Sequence, residues 1–351
     1  MSSHHALLAQ PNAALHALLD ANLQLPPEYR DQLTNHLPMA LHALHALSAD
    51  PQRLRDFFTS YSERFQCPSA PAPAAEPHST DVDGPSWRGP VDAYPALLTR
   101  FQRRLACDGP QATLRSALPA LLPGVAAAAF HGAIRTAHAV QAGHTGELAA
   151  ALAYWAWRWQ ALAPPPAVDA RVDLGVWASR LVEQAPTWRS SGPLISIRMN
   201  EASRSALYLA WAGALRPAPT VQQRIAELAG LAVARYVAKP NFTVLHMVTG
   251  MHALRTLLPW IEDSTAVQAT LAHSFVAAYL AAGVSPLPAP PEPQPRSWPE
   301  VIGAALASDD DHVIKLVHAC REEAAAYGEG LYLRAATLAT AASLNGGPPP
   351  L

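Results

Sequence analysis

The chain has 351 residues, half of them hydrophobic and 15% charged, with a formal net charge of −2. That length can bury a sizeable core, the near-neutral balance excludes the basic stripe of a nucleic-acid binder, and the charge is too sparse for a disordered solvating chain. Histidine is abundant at 15 residues, whereas Lys239 and Lys315 are the only lysines.

Alanine and leucine dominate, and apolar residues recur three and four apart, which predicts an all-α chain. In chain order the predicted helical segments are 38–47, 91–105, 125–140, 149–162, 203–215, 221–237, 242–260, 266–282 and 312–327. Two Pro-rich stretches, 66–90 and 285–299, read as irregular loops. Histidine-bearing segments flank both, so a single helical domain over 1–351 is expected, with the loops inside it. No run of apolar residues is long enough to span a membrane. No basic flank precedes an apolar run at the N-terminus, so a cytoplasmic location is expected. Cys67, Cys107 and Cys320 are odd in number and far apart, which argues against a disulfide framework or a CxxC metal cluster.

The common catalytic signatures are absent. There is no GxGxxG or GxxxxGK[ST] for nucleotides, no GxSxG elbow, no HExxH and no HxD or HxE half of an iron triad. Histidine placement is what remains. His36 precedes an apolar helix, with Asn35 a cap and Pro38 in the first turn. In the segment 130–138, His131, Arg135 and His138 share one helix face, and Gly132 removes bulk beside His131, which suits close approach of a ligand or another helix. His246 sits among Leu, Met and Val, so its imidazole needs a hydrogen bond or a metal. His252 is about 120° further round that helix and belongs to a different direction. Lys315 lies one i,i+3 step from His312 and another from His318. A buried lysine there would lose its proton easily and could take up carbon dioxide as a carbamate, an oxygen ligand in place of the missing Asp or Glu. Each of these residues also has an ordinary reading: a cap residue at His36, a wet helix face at 131–138, a hydrogen-bonded core histidine at 246, an exposed lysine beside Glu322 and Glu323.

Taken together, NHLPM at 35–39, PG followed by FHGAIRTAHAV at 123–140, NFTVLHMVTGMHAL at 241–254 and DDHVIKLVHACREE at 310–323 resemble the questin oxidase-like family. The resemblance covers most of the chain. It implies a helical oxidoreductase that uses molecular oxygen to open or expand a ring of a small aromatic, polyketide-like substrate. It further implies non-haem Fe(2+) held by His36, His131, His246 and His312, with Lys315 carboxylated as the fifth ligand. Arg135, His138, His252 and His318 then become substrate-facing or supporting residues. Fungal members tend to carry a histidine where this chain has Arg135, and an arginine there suits an acidic substrate or a carbonyl oxygen. Some members use NADPH, for which this chain has no binding fingerprint. Trp155, Trp157, Trp159 and Trp211 are candidates to face an aromatic substrate, although core packing accounts for each of them. A zinc hydrolase on the same ligands and a non-catalytic helical scaffold are the competing readings.

Overall fold

The computed structural model describes residues 12–30, 32–65, 93–166, 170–283 and 294–344. Among them lie fifteen α-helices: α1 (Ala13–Asn22), α2 (Leu37–Ala46), α3 (Pro51–Ser62), α4 (Ala93–Leu121), α5 (His131–Ala142), α6 (Thr145–Arg158), α7 (Leu174–Gln184), α8 (Ile195–Ala202), α9 (Ala206–Trp211), α10 (Val221–Ala238), α11 (Phe242–Leu257), α12 (Thr265–Ala281), α13 (Trp298–Ala307), α14 (Asp311–Tyr327) and α15 (Gly330–Leu344). Two-residue strands β1 (Glu28–Tyr29) and β2 (Leu33–Thr34) pair antiparallel in the one described sheet. The chain is all-α.

The centre is a ring of four helices: α2 packs on α5, α5 on α11, α11 on α14, and α14 back on α2. Each is buried nearly all round through its first two turns, as befits a helix in the interior. His131–Val140 of α5 and Thr243–Leu254 of α11 are buried without a break. The remaining helices form a jacket. α6 covers α5 and itself packs on α4, α10 covers α11, and α15 covers α14.

Several elements depart from the periodicity. The segment 125–140 is not one helix: Ala128, Ala129 and Phe130 have φ of 48°, 56° and 67°, and α5 starts only at His131. Alanine content concealed a left-handed turn, a conformation costly for residues with a Cβ. α4 is broken at Gly109, φ 74°, ahead of Pro110. The loop expected at 66–90 lies outside the described residues. Of the loop expected at 285–299, Trp298 and Pro299 instead begin α13. There Ser297 donates from its backbone N–H (2.7 Å) and Oγ (2.6 Å) to Glu300, and Pro299 sits in the first turn, where its missing N–H costs nothing. Among the described residues, no helix is long and apolar enough to cross a membrane.

Candidate metal centre

The local sequence fixes where each central helix begins, and so where its first histidine sits. The hairpin ahead of α2 is pinned to α6, because Tyr154 Oη lies 2.8 Å from Thr34 Oγ1 and donates to Glu28 (3.0 Å), while Arg158 Nε also donates to Glu28 (2.7 Å). Asn35 then accepts from the Leu37 N–H (3.0 Å) and donates to Asn22 (3.0 Å), and the His36 N–H donates to Tyr61 Oη (3.1 Å). Asn241 caps α11 by accepting from the Thr243 and Val244 N–H groups, and Asp310 caps α14 by accepting from the His312 N–H (2.9 Å). The left-handed turn at 128–130 turns the Ala128 carbonyl onto His131 Nδ1.

These four starts bring His36, His131, His246 and His312 into a closed circuit. Ring centroids are 4.6 Å apart for His36–His131, 4.8 Å for His131–His246, 5.5 Å for His246–His312 and 4.7 Å for His312–His36. Each imidazole is held by its Nδ1. His36 Nδ1 is 2.5 Å from Asp311 Oδ2, His246 Nδ1 is 2.7 Å from the Phe242 carbonyl, and His312 Nδ1 is 3.3 Å from Asp311 Oδ2. The Nε2 atoms of His131, His246 and His312 are buried and make no hydrogen bond. An Nδ1–H given to a carbonyl or carboxylate leaves a lone pair on Nε2, the tautomer a metal requires. Phe242 closes one side, its ring 4.8 Å from His246 and 4.5 Å from His312.

Burial keeps the imidazoles of His36, His131 and His246 neutral. It lowers the pKa of His36 to about 3, assisted by the Lys315 charge and opposed by Asp311. Burial likewise holds His131 and His246 well below the usual range, with neighbouring histidines and Lys315 adding to it. Lys315 is itself buried, not exposed beside the glutamates, and its Nζ is 3.3 Å from Asp311 Oδ2. Burial lowers its pKa, with Asp311 working the other way. For Asp311, burial alone would raise the pKa; its pairing with His312, His36 and Lys315 outweighs that and holds the carboxyl well below its usual range.

Asp311 is thus the carboxylate that a search for HxD and HxE patterns passes over, because it precedes its histidine by one residue. Asp311 Oδ2 and the Nδ1 atoms of His36 and His312 also lie close enough together to hold an ion. Those atoms are already engaged with one another; His131 and His246 fall outside that group, while their Nε2 atoms and that of His312 are unpartnered. Neutral imidazoles with an oxygen anion alongside fit a divalent first-row ion such as iron.

The other named residues lie elsewhere. His138, His252 and His318 join His42 in a second circuit. Ring centroids there are 5.1 Å apart for His42–His138, 5.3 Å for His42–His318, 5.3 Å for His138–His318 and 5.4 Å for His252–His318. His42 was legible in the sequence through its spacing. Each central helix carries its second histidine six or seven residues after the first: 36 and 42, 131 and 138, 246 and 252, 312 and 318. The chain therefore runs from the first circuit to the second in all four helices, which makes the central bundle parallel. Its four N-terminal ends, each partly positive, surround the first circuit and favour an anion there.

Arg135 faces neither circuit. Its Nε and Nη2 donate to Glu147 of α6 at 2.5 and 3.0 Å, both side chains being buried. Gly132 admits another helix: a Cβ there would sit 2.5 Å from the Trp155 ring. Trp155 and Trp159 point their indole nitrogens at backbone carbonyls of Gly124 and Ala120, and Trp211 donates to Gln184. His16, on α1, is half-buried, with Nε2 2.8 Å from the Ala142 carbonyl. His4, His5 and His78 lie outside the described residues.

No curated protein matches the chain. The family model described as Questin oxidase-like matches residues 33–320, a span that takes in both histidine circuits and Lys315. The chain belongs to the questin oxidase-like family.

Proposed function

We propose that the protein is a non-haem iron oxygenase that opens, cleaves or expands a ring of an aromatic, polyketide-type substrate with O2. Family membership suggests an oxidoreductase acting on polyketide-type substrates. The observation that carries the finer reading is the closed circuit of four imidazoles, each held at Nδ1, with Lys315 and Asp311 beside it.

His36, His131, His246 and His312 would hold the metal through Nε2, and a carboxylated Lys315 would add an oxygen donor. Iron, when bound, supplies the one-electron chemistry by which O2 attacks a closed-shell organic molecule. The chain does the rest. Asp311 keeps His36 and His312 in the tautomer that leaves Nε2 free. Burial favours the neutral Lys315 amine, the form that combines with carbon dioxide; Asp311 Oδ2 lies within reach of the proton released. The four helix N-termini offset the negative charge of the carbamate beside Asp311. Phe242 and the apolar helices keep water from reactive species. A nicotinamide requirement has no support in the residues present.

The test is metal analysis with O2 uptake. Iron is expected in the isolated protein, with an intact mass one carbon dioxide heavier under gentle ionisation. Lys315→Ala should lose both the added mass and tight iron binding while remaining helical. Full iron content and activity in that variant would refute the carbamate, and zinc without O2 uptake would indicate a hydrolase.

A further inference from the structure

We infer that His42, His138 and His318 form a second transition-metal site, one layer along the bundle from the first, with His252 packed beside it. The ligand atoms of His42, His138 and His318 all lie within 4.8 Å of one another, and each imidazole comes from a different helix. His42 Nδ1 and His138 Nδ1 are 2.8 Å apart. Two ligands bound at about 2.0–2.1 Å and a right angle would stand about 2.9 Å apart.

A purely structural cluster would pair these polar atoms with one another. One N–H can bridge His42 and His138, but His318 Nδ1 and His252 Nε2 are buried without a hydrogen-bond partner. Leaving two such atoms dry in a core is costly. A metal ion bound by His42, His138 and His318 would relieve that cost within the three-histidine group.

The surroundings resemble those of a bound ion. His252 Nδ1 is 2.9 Å from Glu323 Oε1, and the same oxygen accepts from Arg255 Nε at 2.5 Å. A carboxylate behind an imidazole fixes the ring and its tautomer, leaving Nε2 for a metal. Three neutral imidazoles with no carboxylate among them suit zinc, copper, iron, cobalt or nickel rather than magnesium or calcium.

Six or seven residues of helix separate the circuits by about 9–10 Å. That is far beyond the ~3.5–4 Å of a bridged metal pair. The second site is therefore a separate ion, and it stands on its own geometry whatever the first circuit binds.

The experiment uses the full chain, stripped with a chelator and reloaded with cobalt(II). Equilibrium dialysis should give two equivalents, and crystals diffracted at the cobalt edge should show two anomalous peaks, one in each circuit. His318→Ala and His246→Ala should each retain one equivalent. A single peak in the first circuit, with His318→Ala keeping all its cobalt, overturns the second site and leaves a hydrogen-bonded histidine core. A single equivalent lost in His318→Ala but kept in His246→Ala supports the second site and overturns the first. The anomalous map of the unaltered protein decides the matter if His318→Ala does not fold.

Discussion

His36 Nδ1 lies 2.5 Å from Asp311 Oδ2, a contact across 275 residues that ties the start of α2 to the start of α14. The same carboxylate faces His312 and Lys315, and its other oxygen accepts from Arg64 at 3.2 Å. One ionised group thus orients two imidazoles and partners one amine. Asp311→Asn keeps the shape and removes the charge. Supporting carboxylates of this kind are worth about tenfold to a hundredfold in metal affinity. That loss is expected in a chelator competition, with helix content unchanged by circular dichroism. Equal affinity in the two proteins would show that Asp311 does not orient the ligands.

The metal-free protein should be acid-labile. Burial takes His36 and His42 down to about 3 and holds His131, His138, His246 and His318 well below 6.5. Above pH 6.5 neither the folded nor the unfolded chain protonates them. Below it the unfolded chain takes up protons that the folded one refuses, so stability falls, by up to about 1.4 kcal/mol per pH unit for each histidine. Asp311, itself depressed from 3.8, adds its loss only at still lower pH. Urea midpoints should therefore drop steeply from neutral pH to about 5, and bound metal should shift the drop to lower pH. A flat profile would mean that the imidazoles are not buried neutral.

Arg135 should behave as a structural residue. Arg135→Ala strands the buried Glu147, at a cost of about 3–5 kcal/mol for a broken buried pair. Replacing both residues by apolar ones should recover most of the melting temperature. Substrate KM is expected to be unchanged in any folded Arg135 variant. A raised KM at wild-type stability would return Arg135 to the substrate.

Thiol labelling offers a simple check on the packing. Cys107 is exposed, whereas Cys320 is buried on α14 and burial pushes its thiol pKa up, Glu323 adding to the effect. Iodoacetamide should modify Cys107 in minutes and leave Cys320 untouched until the chain unfolds. Labelling of Cys320 at the same rate would mean that α14 opens freely.

The sequence exposed the helices that carry a long alanine and leucine rhythm, and with them all four central segments. It concealed α1, α3, α7, α8, α13 and α15, most of whose patterns are shorter or interrupted by polar residues. It concealed the turn at 128–130 for a different reason, since three residues with a Cβ give no local sign of a left-handed backbone. Of the site, the four histidines of the first circuit and Lys315 were readable from motif and spacing. Asp311 and Glu323 were not, because a residue that supports a ligand need obey no ligand spacing. His42 could have been read, since the interval of six or seven recurs in four places and only three of those pairs drew notice.

The parallel bundle also gives its two circuits different clocks. Solvent touches the first circuit, where the side chains of His36 and His312 are 9% and 16% accessible, and hardly reaches the second, where His252 is at 3%. Whatever sits among His36, His131, His246 and His312 would exchange through the partly accessible edge at His36 and His312. Traffic to His42, His138, His252 and His318 waits for packed helices to part, so its residence time is set by local opening of the fold rather than by affinity alone.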